Sequence, residues 1–437
     1  MAQNSHFQKK TPRALSSSPA QEPRAASRRP DGVSPRPARA AHVAAVLLIA
    51  VSGGMALSRQ SGAAASAEQE RGPAATSATE VRAAIDRLAD IDYAARSKAA
   101  RVVRRAAALQ AVPALLQAIA DHKDGFVRFK SLVLLTGFND SRAADQMRAA
   151  MASPNDRLRE VAYGFFERNA NRTLTEQFLS TLQKEQGDFV RPALVRALAA
   201  IGDEPKVRDA LLADVTRGVD HFRSSVIEAL GDFKHAHAVP KLIDVARLDG
   251  PLQDDAVLAL GKIGDKRALE TFVALQRTAG KNLQPTVAAA ICLLGVNCSS
   301  HLGYLQKVLS FADDNPGYQE LVRAASFGLD AVAIGGNAAA ADILFAAGIP
   351  SQDPIRAPLA LSVAKVALRN TPLMLQVLQK QKDQPGAIAL LAEGFDMLEE
   401  DLEEEQFFVT VRRGYWAAAD GSAVRRLSEQ LITKLDF

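Results

Sequence analysis

Residues 229–265 read ALGDFKHAHAVPKLIDVARLDGPLQDDAVLALGKIGD. Apolar residues return at three- and four-residue intervals, and Gly, Asp, Pro or Asn interrupts them about every 15 residues. That is the signature of short paired helices. Parts of the stretch recur elsewhere. Ile201-Gly202-Asp203 stands 62 residues before Ile263-Gly264-Asp265, two units of 31. Ala111-Val112-Pro113 precedes Ala238-Val239-Pro240 by 127 residues, close to four units. Ala229-Leu230-Gly231, Ala259-Leu260-Gly261 and Leu293-Leu294-Gly295 place glycine where a second helix should stop, in left-handed backbone.

A second ladder has the same step. Asp124, Asp156, Asp188 and Asp220 are 32 residues apart, and each is followed by an apolar residue and an arginine: Arg128, Arg159, Arg191 and Arg223. Asp353-Pro354-Ile355-Arg356 restates the unit. An Asp at a helix N-cap accepts hydrogen bonds from free amides of the first turn, and its charge suits the positive end of the helix. Pro354 then fits the first helical position. The apolar residue turns into the core and the Arg lies at its edge. Stacking is expected to line these Asp and Arg side chains into columns that bridge each repeat to the next; the alternative is ordinary surface charge.

These motifs resemble the short HEAT-like repeat named after phycobilisome lyases: a Gly-Asp turn, Ala-Val-Pro-x-Leu, Asp-x-x-Val-Arg and Ala-Leu-Gly. The resemblance runs from about Ala108 to Gly295 and is looser outside. The Val-Arg slot departs at Leu252-Gln253 and Thr286-Val287, where the Arg column is expected to break. Leu321-Val322-Arg323 and Ile355-Arg356 continue it at a spacing of 33. The resemblance implies an all-α, right-handed α-α superhelix over residues 79–437, in which stacked pairs share one core and expose a long concave surface. It also implies a binding platform, with another protein or peptide on that surface.

Ahead of the repeats the texture differs. Residues 1–40 carry eight Lys and Arg against Glu22 and Asp31, so the net charge of +4 over 437 residues belongs to this tail. The remainder is slightly acidic, and the sequence pI of about 9.0 implies no basic face on the repeats; no nucleic-acid partner is expected. The tail, rich in Pro, Arg, Ser and Ala, reads as disordered. Residues 41–57, AHVAAVLLIAVSGGMAL, are 17 residues without a charge, near the lower limit for crossing a hydrocarbon core of roughly 30 Å. They read as a transmembrane signal anchor, as a signal peptide cleaved near Ala65-Ser66-Ala67, or as an apolar segment that does not insert. Residues 58–78 read as a flexible linker. The basic tail would stay in the cytoplasm, which places the repeats in the periplasm or outside the cell as part of a single-pass membrane protein.

Catalytic chemistry has little to stand on. None of the seven histidines is followed by Glu, so the paired His-Glu metal site of the deoxyhypusine hydroxylases is not carried over. His235 and His237 form an H-x-H pair in a turn, expected to be solvated, with no third ligand near in sequence. No P-loop, G-x-G-x-x-G, G-x-S-x-G or H-E-x-x-H occurs. Cys292 falls in a predicted second helix (Val287 to Leu294); it reads as a buried inert thiol, as one half of a disulfide with Cys298 if the repeats lie outside the cytoplasm, or as a nucleophile for which no partnered His is in view. No cofactor is called for. The acidic run around Asp401, from Glu399 to Glu405, reads as a solvated helix face or as a docking surface for a basic partner. The aromatics after it, Phe407-Phe408 and Tyr415-Trp416, read as part of that patch or as a cap on the core. The functional expectation is a non-catalytic protein-interaction scaffold. Its rivals are a lyase or metal-dependent modifying enzyme, and a soluble cytosolic adaptor.

Overall fold

The computed structural model describes residues 76–437 apart from 316, 399 and 400. The tail, the apolar segment 41–57 and nearly all of the linker lie outside the described residues. The expected single-pass membrane topology is corrected: among the described residues no helix is long and apolar enough to cross a membrane.

The described residues form 22 α-helices and no strand. The early pairs are α1 (Ala78–Asp86) with α2 (Tyr93–Arg105), α3 (Ala108–Asp121) with α4 (Gly125–Thr136), and α5 (Arg142–Ala150) with α6 (Asp156–Arg168). Then come α7 (Thr175–Leu182) with α8 (Val190–Ala200), α9 (Pro205–Asp214) with α10 (Asp220–Asp232), and α11 (Val239–Ala246) with α12 (Gln253–Ile263). The third group is α13 (Leu269–Thr278) with α14 (Gln284–Leu293), α15 (Cys298–Asp314) with α16 (Gln319–Ile334), and α17 (Ala338–Gly348) with α18 (Arg356–Arg369). The last two are α19 (Thr371–Lys380) with α20 (Gln384–Asp396), and α21 (Asp401–Ala417) with α22 (Ala423–Lys434).

Local chemistry starts and stops these helices. Ser77 and Glu80 form a reciprocal capping box on α1, and Asp92, Asp124, Asn155 and Asp383 cap α2, α4, α6 and α20 through their side chains. Proline opens α9, α11, α14, α19 and α20, where its missing N–H has no helical acceptor to lose. Gly264 and Gly295, at φ of 79° and 75°, follow α12 and α14 in left-handed backbone.

Two expected stops are not stops. Gly231 and Gly261 lie inside α10 and α12. A Cβ on Gly231 would stand 2.7 Å from the Cα of Ala259, and one on Gly261 2.6 Å from that of Ala290. Both glycines are there to let successive second helices approach backbone to backbone. The second helices therefore pack on one another more closely than the first helices do, and the array curves with the second helices inside. Helix α14, in the middle of this row, is buried on every side from Pro285 to Cys292. The core runs in three stretches that adjoin at α4 and α14.

The curvature is large enough that the ends meet. Helix α21 packs on α4 and α6 as well as on α18, and α22 on α19 and α20. The inner surface is thus partly covered by the last pair, in place of the long open concavity expected from stacking alone.

Candidate protein-binding site

Three of the five arginines of the predicted ladder share a task that differs from the expected one. Arg159 donates to the carbonyl of Ser153 at 2.9 Å, Arg223 to that of Val215 at 3.0 Å, and Arg356 to those of Gly348 and Ile349 at 2.8 and 3.0 Å. Each carbonyl is at or just beyond the end of the preceding first helix, so the guanidinium ties the two helices of one hairpin together and satisfies orphan acceptors. The aspartates pair within the same helix: Asp156 with Arg159 and Asp220 with Arg223, at 2.7 and 2.8 Å. The reach to the next repeat goes to glutamates instead, from Arg159 to Glu185 at 2.8 Å and from Arg356 to Glu393 at 2.6 Å. Arg191 lies 3.7 Å over the ring of Phe222 in the next hairpin; its Nε and that of Arg128 are buried without a hydrogen-bond partner.

Of the ladder's aspartates only Asp124 is an N-cap with a side-chain bond, to the Phe126 amide at 2.8 Å. Asp156 and Asp220 are first helical residues, and Asp188 is exposed. Asp353 and Pro354 precede α18, which starts only at Arg356; the Asp353 side chain accepts from the Ala357 amide at 3.2 Å. Cys292 and Cys298 are joined as a disulfide between α14 and α15. His235 is buried rather than solvated, donating from Nε2 to the Ala199 carbonyl at 3.0 Å. Burial and the neighbouring His235 push the His237 pKa down. Among the described residues, no three His, Cys, Asp or Glu side chains are placed to hold a metal ion.

A charge chain that the repeat pattern did not announce lines the inner side. Glu167 of α6 accepts from Arg196 of α8 at 2.7 Å and from Arg369 of α18 at 2.9 Å, across 202 residues of chain. Arg196 continues to Asp232 at 2.8 Å, and Asp232 to Lys262 of α12 at 2.7 Å. Burial alone would raise the Asp232 pKa, but Lys262 and Arg196 outweigh it and hold it at about 2. Farther along, Asp330 of α16 is buried and accepts from the Ser362 hydroxyl at 3.2 Å. Burial pushes it up to about 7, against the pull of Lys365 and Lys262.

The acidic run is the most informative departure. Glu403 and Glu405 are buried, and each has a basic partner in the chain's own first repeats. Glu405 meets Arg104 of α2 at 2.6 Å and Arg412 at 3.2 Å, and Glu403 meets Arg168 of α6 at 3.4 Å. Asp401 pairs with Lys130 of α4, and Asp436 with Arg101. Gln406 donates to the Thr136 hydroxyl at 3.2 Å. Phe407 and Phe408 are buried beside Phe395, and Phe408 stacks on Phe437 at 4.1 Å, whereas Trp416 is exposed.

Beside this seam lies a cleft of about 940 Å³, walled by α2, α4, α6, α20, α21 and the chain beyond α22. Its floor holds Phe126 and Phe129, rings 5.7 Å apart, with Lys130 and Arg157 within 6 Å of both. Tyr93 and Phe189, also lining it, are 68% and 75% exposed. Large rigid rings over mixed charge suit recognition of a polypeptide segment.

The array is that of a HEAT-like repeat protein, and one unit, residues 252–278, matches the family model described as PBS lyase HEAT-like repeat. No curated protein matches the chain. Among solved structures, the chain is similar to the complex of CpcE and CpcF of phycocyanin lyase from Nostoc sp., at 19% identity over 58% of this chain and 94% of that one, with a TM-score of 0.37. It is similar to importin beta at 13% identity over 82% of this chain and 57% of that one, with a TM-score of 0.36. Kap121p stands at 15% identity over 82% of this chain and 41% of that one, with a TM-score of 0.30. At these values the likenesses carry nothing about the site.

Proposed function

We propose that the chain is a non-catalytic scaffold that binds a segment of another protein where its first and last repeats meet. The supporting observation is the cleft, with Tyr93 and Phe189 held in water at its rim while the rest of the large side chains lining it are covered or paired. Two such rings left exposed beside a concave, mixed-charge floor are the residues an interface would bury first. The inner surface of the second helices adjoins this cleft and extends the binding area along the array.

The test is capture of partners by the full chain and by a Tyr93→Ser/Phe189→Ser double variant. A specific partner retained by the first and released by the second supports the reading. Equal capture by both, with both variants folded, ends it.

A further inference from the structure

The face of α2, α4 and α6 that α21 covers is itself a built receptor. Gly164 stands in the middle of α6, and a Cβ there would lie 3.1 Å from Leu402 Cδ2. Gly137 ends α4, and a Cβ there would lie 2.6 Å from Glu405 Oε1. Glycine inside a helix is less favourable than alanine, so Gly164 marks a place where the approach of α21 decides the residue. Around these two hollows stand Arg104, Lys130 and Arg168, each facing a carboxylate of α21, with the Arg104 guanidinium also 4.9 Å from the centre of the Phe408 ring. Leu402, Glu405 and Phe408 recur at three-residue intervals and present one stripe of the helix, flanked by Asp401 and Glu403.

We propose that this face is a docking surface for an acidic amphipathic helix of a partner protein, and that α21 is its built-in occupant. The occupant that fits is the one whose chemistry α21 displays: a leucine for the Gly164 hollow, carboxylates for Arg104, Lys130 and Arg168, and an aromatic ring one turn on. This inference rests on the protein-binding reading and sharpens it to a class of partner. Because α21 is tethered, it competes at high effective concentration. An outside helix gains access when the hold of α21 on the basic face is weakened.

Charge on the two sides of the seam therefore has opposite effects. A fluorescent synthetic peptide with the sequence of residues 401–417 is titrated into the full chain and its variants. Asp401→Asn with Glu403→Gln loosens α21 and leaves the receptor intact, and peptide affinity rises by about tenfold or more over the parent chain. Adding Lys130→Glu and Arg168→Glu to that background abolishes binding; should these not fold, Lys130→Gln and Arg168→Gln weaken it in the same direction. A purely structural seam would give no peptide binding in the loosened variant, and that result overturns the proposal. A dimer in the loosened variant, seen by light scattering and unmoved by peptide, also overturns it in favour of a second copy as the occupant. Both measurements are independent of Tyr93 and Phe189, so failure here and failure of the cleft reading are told apart.

Discussion

A Cβ on Gly261 would collide with the backbone of Ala290, and that near-contact sets how closely α12 and α14 lie. Gly261→Ala gains about 1 kcal/mol of helix propensity, yet overpacking of a close-packed interior costs about 1–3 kcal/mol. The variant is expected to melt lower than the parent, and thermal denaturation followed by circular dichroism reads the sign. Asp330 offers a second measurement. Its pKa lies at about 7, above the usual 3.8, so the protonated form is favoured in the fold. The stability this group contributes is full below about pH 4 and is lost as pH climbs toward 7. Lys365, Lys262 and Glu228 are the charges that act on it. Asp330→Asn is expected to remove that loss, leaving the variant the more stable at pH 8 by on the order of a few kcal/mol; the difference in denaturant midpoint between variant and parent at pH 5 and pH 8 checks it. The repeat pattern marked Gly231 and Gly261 as special but assigned them the wrong task. A glycine at a helix end and one at a helix crossing look alike until the neighbouring helix is placed.

Among the helices, the repeating Val-Arg slot was legible as a position but its partners were not: Arg159 and Arg356 reach the next repeat through Glu185 and Glu393 and not through the ladder's aspartates. Arg159, Arg223 and Arg356 reach back to the end of the first helix because those carbonyls have no partner within their own helix. Arg356 shows it best, holding the Gly348 and Ile349 carbonyls and Glu393 together. Arg356→Lys keeps the charge but loses the planar fork; a loss on the order of 1–2 kcal/mol is expected, with faster amide exchange at the end of α17 as its local sign. The paired helices themselves followed from the three-and-four spacing and from the Gly-Asp turns. The acidic run did not resolve so simply. Charge density alone could not separate a solvated face from a docked one, since the deciding basic residues, Arg104, Lys130 and Arg168, lie some 230 to 300 positions away in sequence.

Closure of the array follows from the same small residues that shorten its inner side, and it sets charged groups against one another that no repeat unit contains. Glu167 links α6 to α18, and Glu405 links α2 to α21. No periodicity predicts such contacts, because they depend on the accumulated turn over all the repeats. Their energetic weight is nonetheless definite. Glu405 is 1% exposed and stands between Arg104 and Arg412. Its replacement by alanine leaves two guanidinium groups in a covered site without a counter-charge, a change that costs about 3–5 kcal/mol where one partner of a buried pair is removed. The array need not unfold in response, since each hairpin remains packed on its neighbours; the least costly relief is for α21 and α22 to lift away. Glu405→Ala is therefore expected to raise amide hydrogen exchange in α2, α4, α21 and α22 together while leaving α8 through α14 protected. Uniform loss of protection along the array would show instead that the seam and the repeats stand or fall as one unit.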